Sequence, residues 1–140
     1  MRTLKTLSAL ATVLVTVGAG RLHAAAGSND VSEIKALVAA GASLEEQLEG
    51  GVTPLHAAAS AGHAEAANAL VAAGASLEAQ INGGYTPLHI AAYNNNARVA
   101  HSLLTAGASL EARGANGLTP LHSAARGARA MLIHLLWSMG

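Results

Sequence analysis

The sequence contains no cysteine and no phenylalanine, and aromatic residues make up only 2% of its 140 residues. The lack of cysteine excludes disulfides, thiolate nucleophiles and cysteine-bearing metal sites. Because aromatics are scarce, the hydrophobic fraction of 51% consists mostly of Ala, Leu and Val. Side chains this small pack elements closely and build few deep ligand cavities, and the length suits a single compact domain.

An excess of charge of either sign is also missing, since eight basic residues balance eight acidic ones. Proteins that bind nucleic acid or a membrane surface need a basic face, so the balance argues against both kinds of partner. The acidic residues crowd the first half of the chain and several arginines lie towards the C-terminus. This polarity either orients a partner or is a chance arrangement.

The N-terminal segment has the layout of a secretory signal peptide. Arg2 and Lys5 precede an uncharged, mainly apolar run over Thr6–Gly18, which small residues follow. A transmembrane helix needs about 20 residues, and this run is shorter. We therefore expect no stable membrane insertion of the mature chain. The alternative is a hydrophobic helix packed onto the domain. Two positions are preceded by the small residues that suit cleavage of a signal peptide, and cleavage there would fall after Ala19 or after Ala26.

The chain repeats itself at an offset of 33 residues. Copies of the strings TPLH and GASLE recur at this offset, beginning at Thr53, Thr86 and Thr119 and at Gly41, Gly74 and Gly107. A period of this length predicts a stacked solenoid in which each repeat is one supersecondary unit.

The residues of one repeat predict a helix, a turn and a second helix. Thr53 suits an N-cap with proline at the first helical position, and apolar residues follow at the spacing of one buried helix face. Gly62 breaks this helix, a second helix covers Ala64–Ala73, and Gly74 ends it as a left-handed C-cap. In the third repeat Asn95 takes the glycine place, which Asn tolerates better than most residues. Glycine pairs in the linking segments suit tight turns.

These residues resemble the ankyrin repeat, whose signature is a TPLH-x-A helix start, a second helix and a closing GA. The resemblance covers Gly20–Gly140. It implies an all-α ankyrin-repeat solenoid of stacked helix-turn-helix units, with β-hairpin-like fingers that form a concave surface together with the first helices. The family often closes with GADVN, whereas serine and glutamate stand in the loops here, at Ser43, Ser76 and Ser109 and at Glu45, Glu78 and Glu111. Loop hydrogen bonding is therefore expected to differ from the family pattern.

The register divides the chain into a signal peptide over residues 1–19, an N-terminal capping repeat over 20–47, repeats over 48–80 and 81–113, and a C-terminal repeat over 114–140. The string LHAAA at 22–26 aligns with LHAAA at 55–59, so the first repeat lacks only its TP. Cleavage is therefore expected after Ala19, because cleavage after Ala26 would delete a helix. The apolar second helix of the last repeat either meets a partner or another copy, or belongs to a shortened array.

The seven histidines invite a metal or catalytic interpretation. The resemblance implies instead that four of them tie a helix start to neighbouring loops, namely His23, His56, His89 and His122. His101 and His134 occupy the same place in successive second helices, and two histidines without a carboxylate or cysteine beside them make a weak metal site. A metal-dependent enzyme using this pair is the minor alternative. No nucleophile or phosphate-binding motif is present, so we expect no catalytic activity, no cofactor and no metal.

A binding surface remains as the expected functional feature. In the resemblance, contacts come from the finger tips and the exposed positions of the first helices, which are here Val52, Ser60, Tyr85, Tyr93, Asn94, Leu118 and Arg126. Tyr and Arg often dominate binding energy at interfaces, although both tyrosines could instead merely pack between adjacent fingers.

The sequence therefore predicts an exported protein-interaction module, periplasmic or extracellular, that binds a protein partner through the concave groove. By family-level analogy it protects or inhibits an envelope protein. The alternative is an envelope structural or assembly module that self-associates through its apolar C-terminal edge, around Trp137.

Overall fold

The computed structural model describes residues 20–127 and 130–140, which form four helix pairs joined by extended loops. The helices are α1 Arg21–Gly27, α2 Val31–Ala39, α3 Pro54–Ala61, α4 Ala64–Ala72, α5 Pro87–Tyr93, α6 Ala97–Thr105, α7 Pro120–Arg126 and α8 Ala130–Met139. The first helices pack on one another in the order α1, α3, α5, α7, and the second helices in the order α2, α4, α6, α8. The predicted signal peptide lies outside the described residues.

The first helices begin where the threonine and proline residues predict. The Thr53 hydroxyl accepts the backbone N–H of His56, which satisfies one of the unpaired amides at the start of α3. Pro54 occupies the first turn, where no amide hydrogen is missed. α5 and α7 begin in the same way, with capping boxes at Thr86 and Thr119. In α1, Gly20 and Arg21 stand at these two positions and no side chain caps the helix.

Left-handed residues make the turns between and after the helices. Asn95, between α5 and α6, has φ 60°, as its place in the glycine register predicts, and Gly62 has φ 81°. After α4, Gly74 has φ 106° and Ala75 donates its N–H to the Leu70 carbonyl at 3.0 Å. This is a Schellman closure of the helix, and it confirms the predicted glycine C-cap.

Each of three linking segments folds back as a β-hairpin-like finger. The closing N–H···O bonds run from Leu48 to Val52 at 2.9 Å, from Ile81 to Tyr85 at 3.0 Å and from Gly114 to Leu118 at 2.8 Å. Two residues with positive φ form each tip, and in the third finger they are Asn116 and Gly117. Among the described residues the fingers form one isolated β-bridge and no strand.

The core is a column of leucines between the two helix rows, with alanine where the helices touch. Leucines at the same register are buried in successive repeats, as at Leu55 and Leu88 in the first helices and Leu70 and Leu103 in the second. Ala59 and Ala92 are fully buried where helices from neighbouring repeats approach. Short side chains at these contacts explain why a chain so poor in aromatics still packs tightly.

A row of hydrogen bonds, which we call the SLE ladder, joins the loops that follow α2, α4 and α6. Within each loop the serine hydroxyl accepts the N–H of the glutamate two residues later. Between loops, the Glu45 carboxylate accepts the Ser76 N–H at 2.7 Å, and the Glu78 carboxylate accepts the Ser109 N–H at 2.8 Å. The serine and glutamate that depart from the family pattern thus bond the first repeat to the second and the second to the third.

The helices of the described part of the chain are all too short, or too polar, to cross a lipid bilayer.

Candidate functional site

The repeated histidines fix the fingers relative to the first helices. The Thr86 N–H donates to His89 Nδ1 at 3.1 Å, so this nitrogen accepts and the proton resides on Nε2. His89 Nε2 then donates to the Leu118 carbonyl of the next finger, at 2.8 Å. His56 makes the same contacts with Thr53 and the Tyr85 carbonyl. Burial lowers the pKa of both imidazoles and favours this neutral, bridging form.

The end histidines make only part of this pattern. His23 donates from Nε2 to the Val52 carbonyl at 2.7 Å, but its buried Nδ1 has no hydrogen-bond partner among the described residues. Gly20, at the threonine position, has no hydroxyl, and its backbone is left-handed with φ 81°, whereas Thr53 is extended with φ −90°. Neither a hydroxyl nor a backbone N–H therefore bonds to the His23 Nδ1 as at Thr53. His122 contacts Thr119 through Nδ1 and is exposed. The implied tie from helix start to neighbouring finger is thus present for three of the four histidines.

Between the third and fourth repeats, the fingers and first helices enclose a depression of about 280 Å³, which we call the Tyr93 pocket. Its lining residues are Tyr85, His89, Ile90, Tyr93, Leu118, Ser123 and Arg126. Four of these side chains are among those predicted from the sequence to bind a partner. The structure therefore brings Tyr85, Tyr93, Leu118 and Arg126 together around one apolar surface.

A second depression, of about 460 Å³, lies one repeat earlier, and we call it the Val52 pocket. Its lining residues are Val52, His56, Ala57, Ser60, Ala61, Ile81 and Ile90. Two predicted residues, Val52 and Ser60, line it, and Ile90 is shared with the Tyr93 pocket. The two pockets together form a groove along the fingers and first helices. Asn94, the remaining predicted residue, caps the end of α5 and is exposed, but it lines neither pocket.

The two tyrosines have different surroundings. A Cβ added at Gly114, in the next finger, would lie 2.6 Å from the Tyr85 ring, so this ring covers the glycine closely. The ring also meets His89 edge to face at a centroid distance of 5.6 Å. Tyr85 thus packs between adjacent fingers and also lines the Tyr93 pocket. Tyr93 is 54% exposed on the rim of the pocket.

Residues that sequence reasoning did not select also shape the groove. Ile90 and Ser123 occupy the register position that holds Ala57 in the second repeat, and each lines a pocket. Ile90 separates the two depressions, and Ser123 adds a hydroxyl to the floor of the Tyr93 pocket. The sequence does contain a signal for these two residues, because both replace the alanine that stands at this register position in the second repeat.

The C-terminal edge exposes positions that are covered in the other repeats. Trp137 is 75% exposed, whereas Leu104, at the same register one repeat earlier, packs against the core. His122 is exposed, whereas the equivalent His89 is buried. The opposite edge is charged instead, because Arg21 and Glu33 form an ion pair at positions that hold buried Pro54 and Ala66 in the second repeat.

The outer face carries the histidine pair considered for a metal. His101 and His134 are both exposed on second helices. His101 lies beside Asn68, Arg98 and Ser102, and Arg98 pairs with Glu65 at 2.9 Å. The described residues contain no group of three or more His, Asp or Glu side chains placed to hold a metal ion.

A family model described as ankyrin repeats (3 copies) matches residues 22–114 and again 77–140. The chain therefore belongs to the ankyrin repeat family, and its helical stack has the architecture that the resemblance implies. Ankyrin repeats are protein-interaction modules and are typically non-catalytic. No curated protein sequence matches the chain.

Proposed function

We propose that this chain is an exported ankyrin-repeat protein that binds a protein partner through the groove formed by the Tyr93 and Val52 pockets. It acts through binding alone, without catalysis of its own, and in this way protects or inhibits an envelope protein. The observation that carries the proposal is the Tyr93 pocket, where an exposed tyrosine and an exposed arginine flank one apolar depression. Tyr and Arg are enriched among the residues that dominate binding energy.

Export is supported by the basic and apolar residues 2–18, and cleavage after Ala19 is supported by the burial of the residues that follow. Leu22 is 1% exposed and Ala26 is fully buried, both within α1. A signal peptide ending at Ala19 leaves this helix intact, whereas cleavage after Ala26 would remove its buried side chains. The mass of the chain recovered from a periplasmic fraction tests this proposal. A mature protein that begins at Gly20 is expected, and one that begins at Gly27 would contradict it.

Affinity capture from an envelope extract tests the groove. We expect Tyr93→Ala to release a partner that wild-type protein retains, because the exposed ring is lost without disturbing the finger packing that Tyr85 provides. Two controls sit on other faces: His101→Ala on the outer face and Trp137→Ala at the C-terminal edge. The retained partner is then purified, and its binary affinity is measured with the same variants. A partner lost equally from all three variants, or from none, contradicts the groove assignment.

Self-association through the C-terminal edge is the second candidate, and the 75% exposure of Trp137 favours it. The charged Arg21–Glu33 edge is a poor surface for covering Trp137, since burying an ion pair carries a desolvation penalty. Two copies would therefore meet by their C-terminal edges about a two-fold axis, which closes the assembly at a dimer. Light scattering is expected to give a dimer that Trp137→Asp dissociates and Tyr93→Asp does not. A monomer at all concentrations removes this candidate.

A further inference from the structure

We propose that the groove binds an acidic segment of its partner, in which two bulky apolar side chains occupy the two neighbouring pockets and a carboxylate side chain lies next to the one in the Tyr93 pocket. The proposal rests on the function proposed above and specifies the chemistry of the partner. It follows from the shape of the two pockets, from their order along the stack and from the charge of their lining.

The shape of each pocket fits one apolar side chain. An engineered protein cavity of about 150 Å³ is enough to hold benzene. The Tyr93 pocket, at about 280 Å³, therefore has room for an aromatic ring or a branched aliphatic group between the Tyr93 ring and Leu118. Val52 and Ile81 offer an aliphatic surface of the same kind in the other pocket.

The spacing of the pockets sets the spacing of the side chains. The pockets lie between successive pairs of repeats, and packed helices lie about 8–10 Å apart. A polyproline-II segment has three residues per turn and rises about 3.1 Å per residue, so side chains three residues apart lie on the same side of the segment and about 9 Å apart. Because both pockets share Ile90, one continuous segment of the partner can place a side chain in each.

The charge of the lining selects the flanking group. Arg126 is the charged side chain in the lining of the two pockets, and neither lining contains an acidic residue. The side chains at one register position differ from repeat to repeat. This position holds Ser60, Tyr93 and Arg126 in successive repeats. The rim thus changes from small to aromatic to cationic along the groove. A guanidinium binds a carboxylate through paired hydrogen bonds, and the Ser123 hydroxyl lies in the same pocket.

The charges that line the groove favour an acidic segment over a basic one. The Glu45 and Glu78 carboxylates of the SLE ladder are used between loops, and Glu65 is paired with Arg98 on the outer face. Arg126 forms no ion pair with the described residues. A basic side chain entering the Tyr93 pocket would meet a like charge, whereas an acidic one would meet its complement.

Fluorescence anisotropy with three labelled peptides tests the proposal. All are acetylated and amidated, so that terminal charges are absent. The first has two leucines three residues apart, with one glutamate before the first leucine and another after the second, so that either chain direction places a carboxylate beside Arg126. The second peptide has glutamine in place of both glutamates, and the third has serine in place of both leucines. We expect wild-type protein to bind the glutamate peptide about threefold to fivefold more tightly than the glutamine peptide. This is the gain in affinity that one favourable exposed ion pair provides. The serine peptide should not bind.

The variants assign this preference to its residue. Arg126→Gln should bind the glutamate and glutamine peptides equally, while Tyr93→Ala weakens both by the same factor. Arg113→Gln is the matched control, because Arg113 is an exposed arginine outside both pockets, and it should keep the preference. Added salt should reduce the preference and leave binding of the glutamine peptide unchanged.

Equal binding of the glutamate and glutamine peptides by wild-type protein overturns the proposal, as does a preference that survives in Arg126→Gln. Tight binding of the glutamine peptide with its C-terminus left as a free carboxylate also overturns it, because the anion would then come from a chain end. If no peptide binds while capture of the partner still depends on Tyr93, the acidic segment is wrong and the groove function stands.

Discussion

At the scale of single residues, the buried histidines couple folding to pH. The Nδ1 atoms of His56 and His89 accept backbone N–H bonds, so protonating either ring in place removes an acceptor. Burial is the main cause that lowers the pKa of both rings below the ordinary value of 6.5. The unfolded chain therefore binds protons that the folded chain does not, and acid favours unfolding.

We expect the melting temperature to be constant above about pH 7 and to fall as the pH drops below about 6.5, towards the lowered folded-state values. The double variant His56→Gln plus His89→Gln is less stable at neutral pH but loses much of this slope. Thermal unfolding followed by circular dichroism between pH 5 and 8 checks the expectation. His101→Gln, on the outer face, is the control that keeps the slope. A double variant with an unchanged slope would show that other groups cause the acid sensitivity.

A second residue-scale prediction concerns Asn95 in its left-handed turn. A residue with a Cβ and no polar side chain is disfavoured at φ 60°, so Asn95→Ala should destabilise the protein by about 1 kcal/mol. Asn95→Gly should be within about 0.5 kcal/mol of wild type, because glycine takes this conformation freely. Urea unfolding of the two variants supplies the comparison. The prediction fails if alanine and glycine have the same effect.

At the scale of the elements, the SLE ladder links neighbouring loops through one carboxylate each. Glu78 accepts the Ser109 N–H at 2.8 Å, whereas Glu111, at the same register in the next repeat, accepts no inter-repeat bond from the described residues. Glu78→Ala should destabilise by about 0.5–1.5 kcal/mol, the net worth of one hydrogen bond. Glu111→Ala, the matched control, should have a smaller effect. Equal losses in urea unfolding would mean that the ladder contributes no stability.

The sequence predicts most of these elements, because their causes lie within a few residues. Pro54, Gly74 and Asn95 act on their own backbone, so the starts, ends and turns of helices follow from local chemistry. The contact of Tyr85 with Gly114 could not be read in this way. It joins residues 29 apart, the same separation as the bonds from His56 and His89 to the next finger.

The groove was predictable as a face but not as a pair of pockets. The repeat register identifies Tyr93 and Arg126 as rim positions, since both follow from counting within one helix. The depth between them depends on Ile90 and Ser123, which replace an alanine and face neighbouring repeats. The Arg21–Glu33 pair likewise joins two helices and needs the stack for its geometry.

At the scale of the whole molecule, stability should depend on position along the stack, because each repeat contacts only its neighbours. Leu70 is fully buried between flanking repeats, and the equivalent Leu37, in the first repeat, is 7% exposed. Leu70→Ala should cost about 2–5 kcal/mol, as is typical of a buried leucine. Leu37→Ala should cost less. Urea unfolding measures both, and a larger loss at Leu37 would contradict a stack stabilised mainly at its centre.

The SLE ladder also bears on how such a chain can change its length over evolutionary time. Each loop contains both groups that an inter-loop hydrogen bond needs. Its serine N–H is the donor towards the preceding loop, and its glutamate carboxylate is the acceptor towards the following one. A duplicated copy of residues 81–113 would bring its own donor and acceptor and would join its neighbours without compensating substitutions. The gene can therefore gain or lose a repeat in one recombination event, and with it one pocket of the groove.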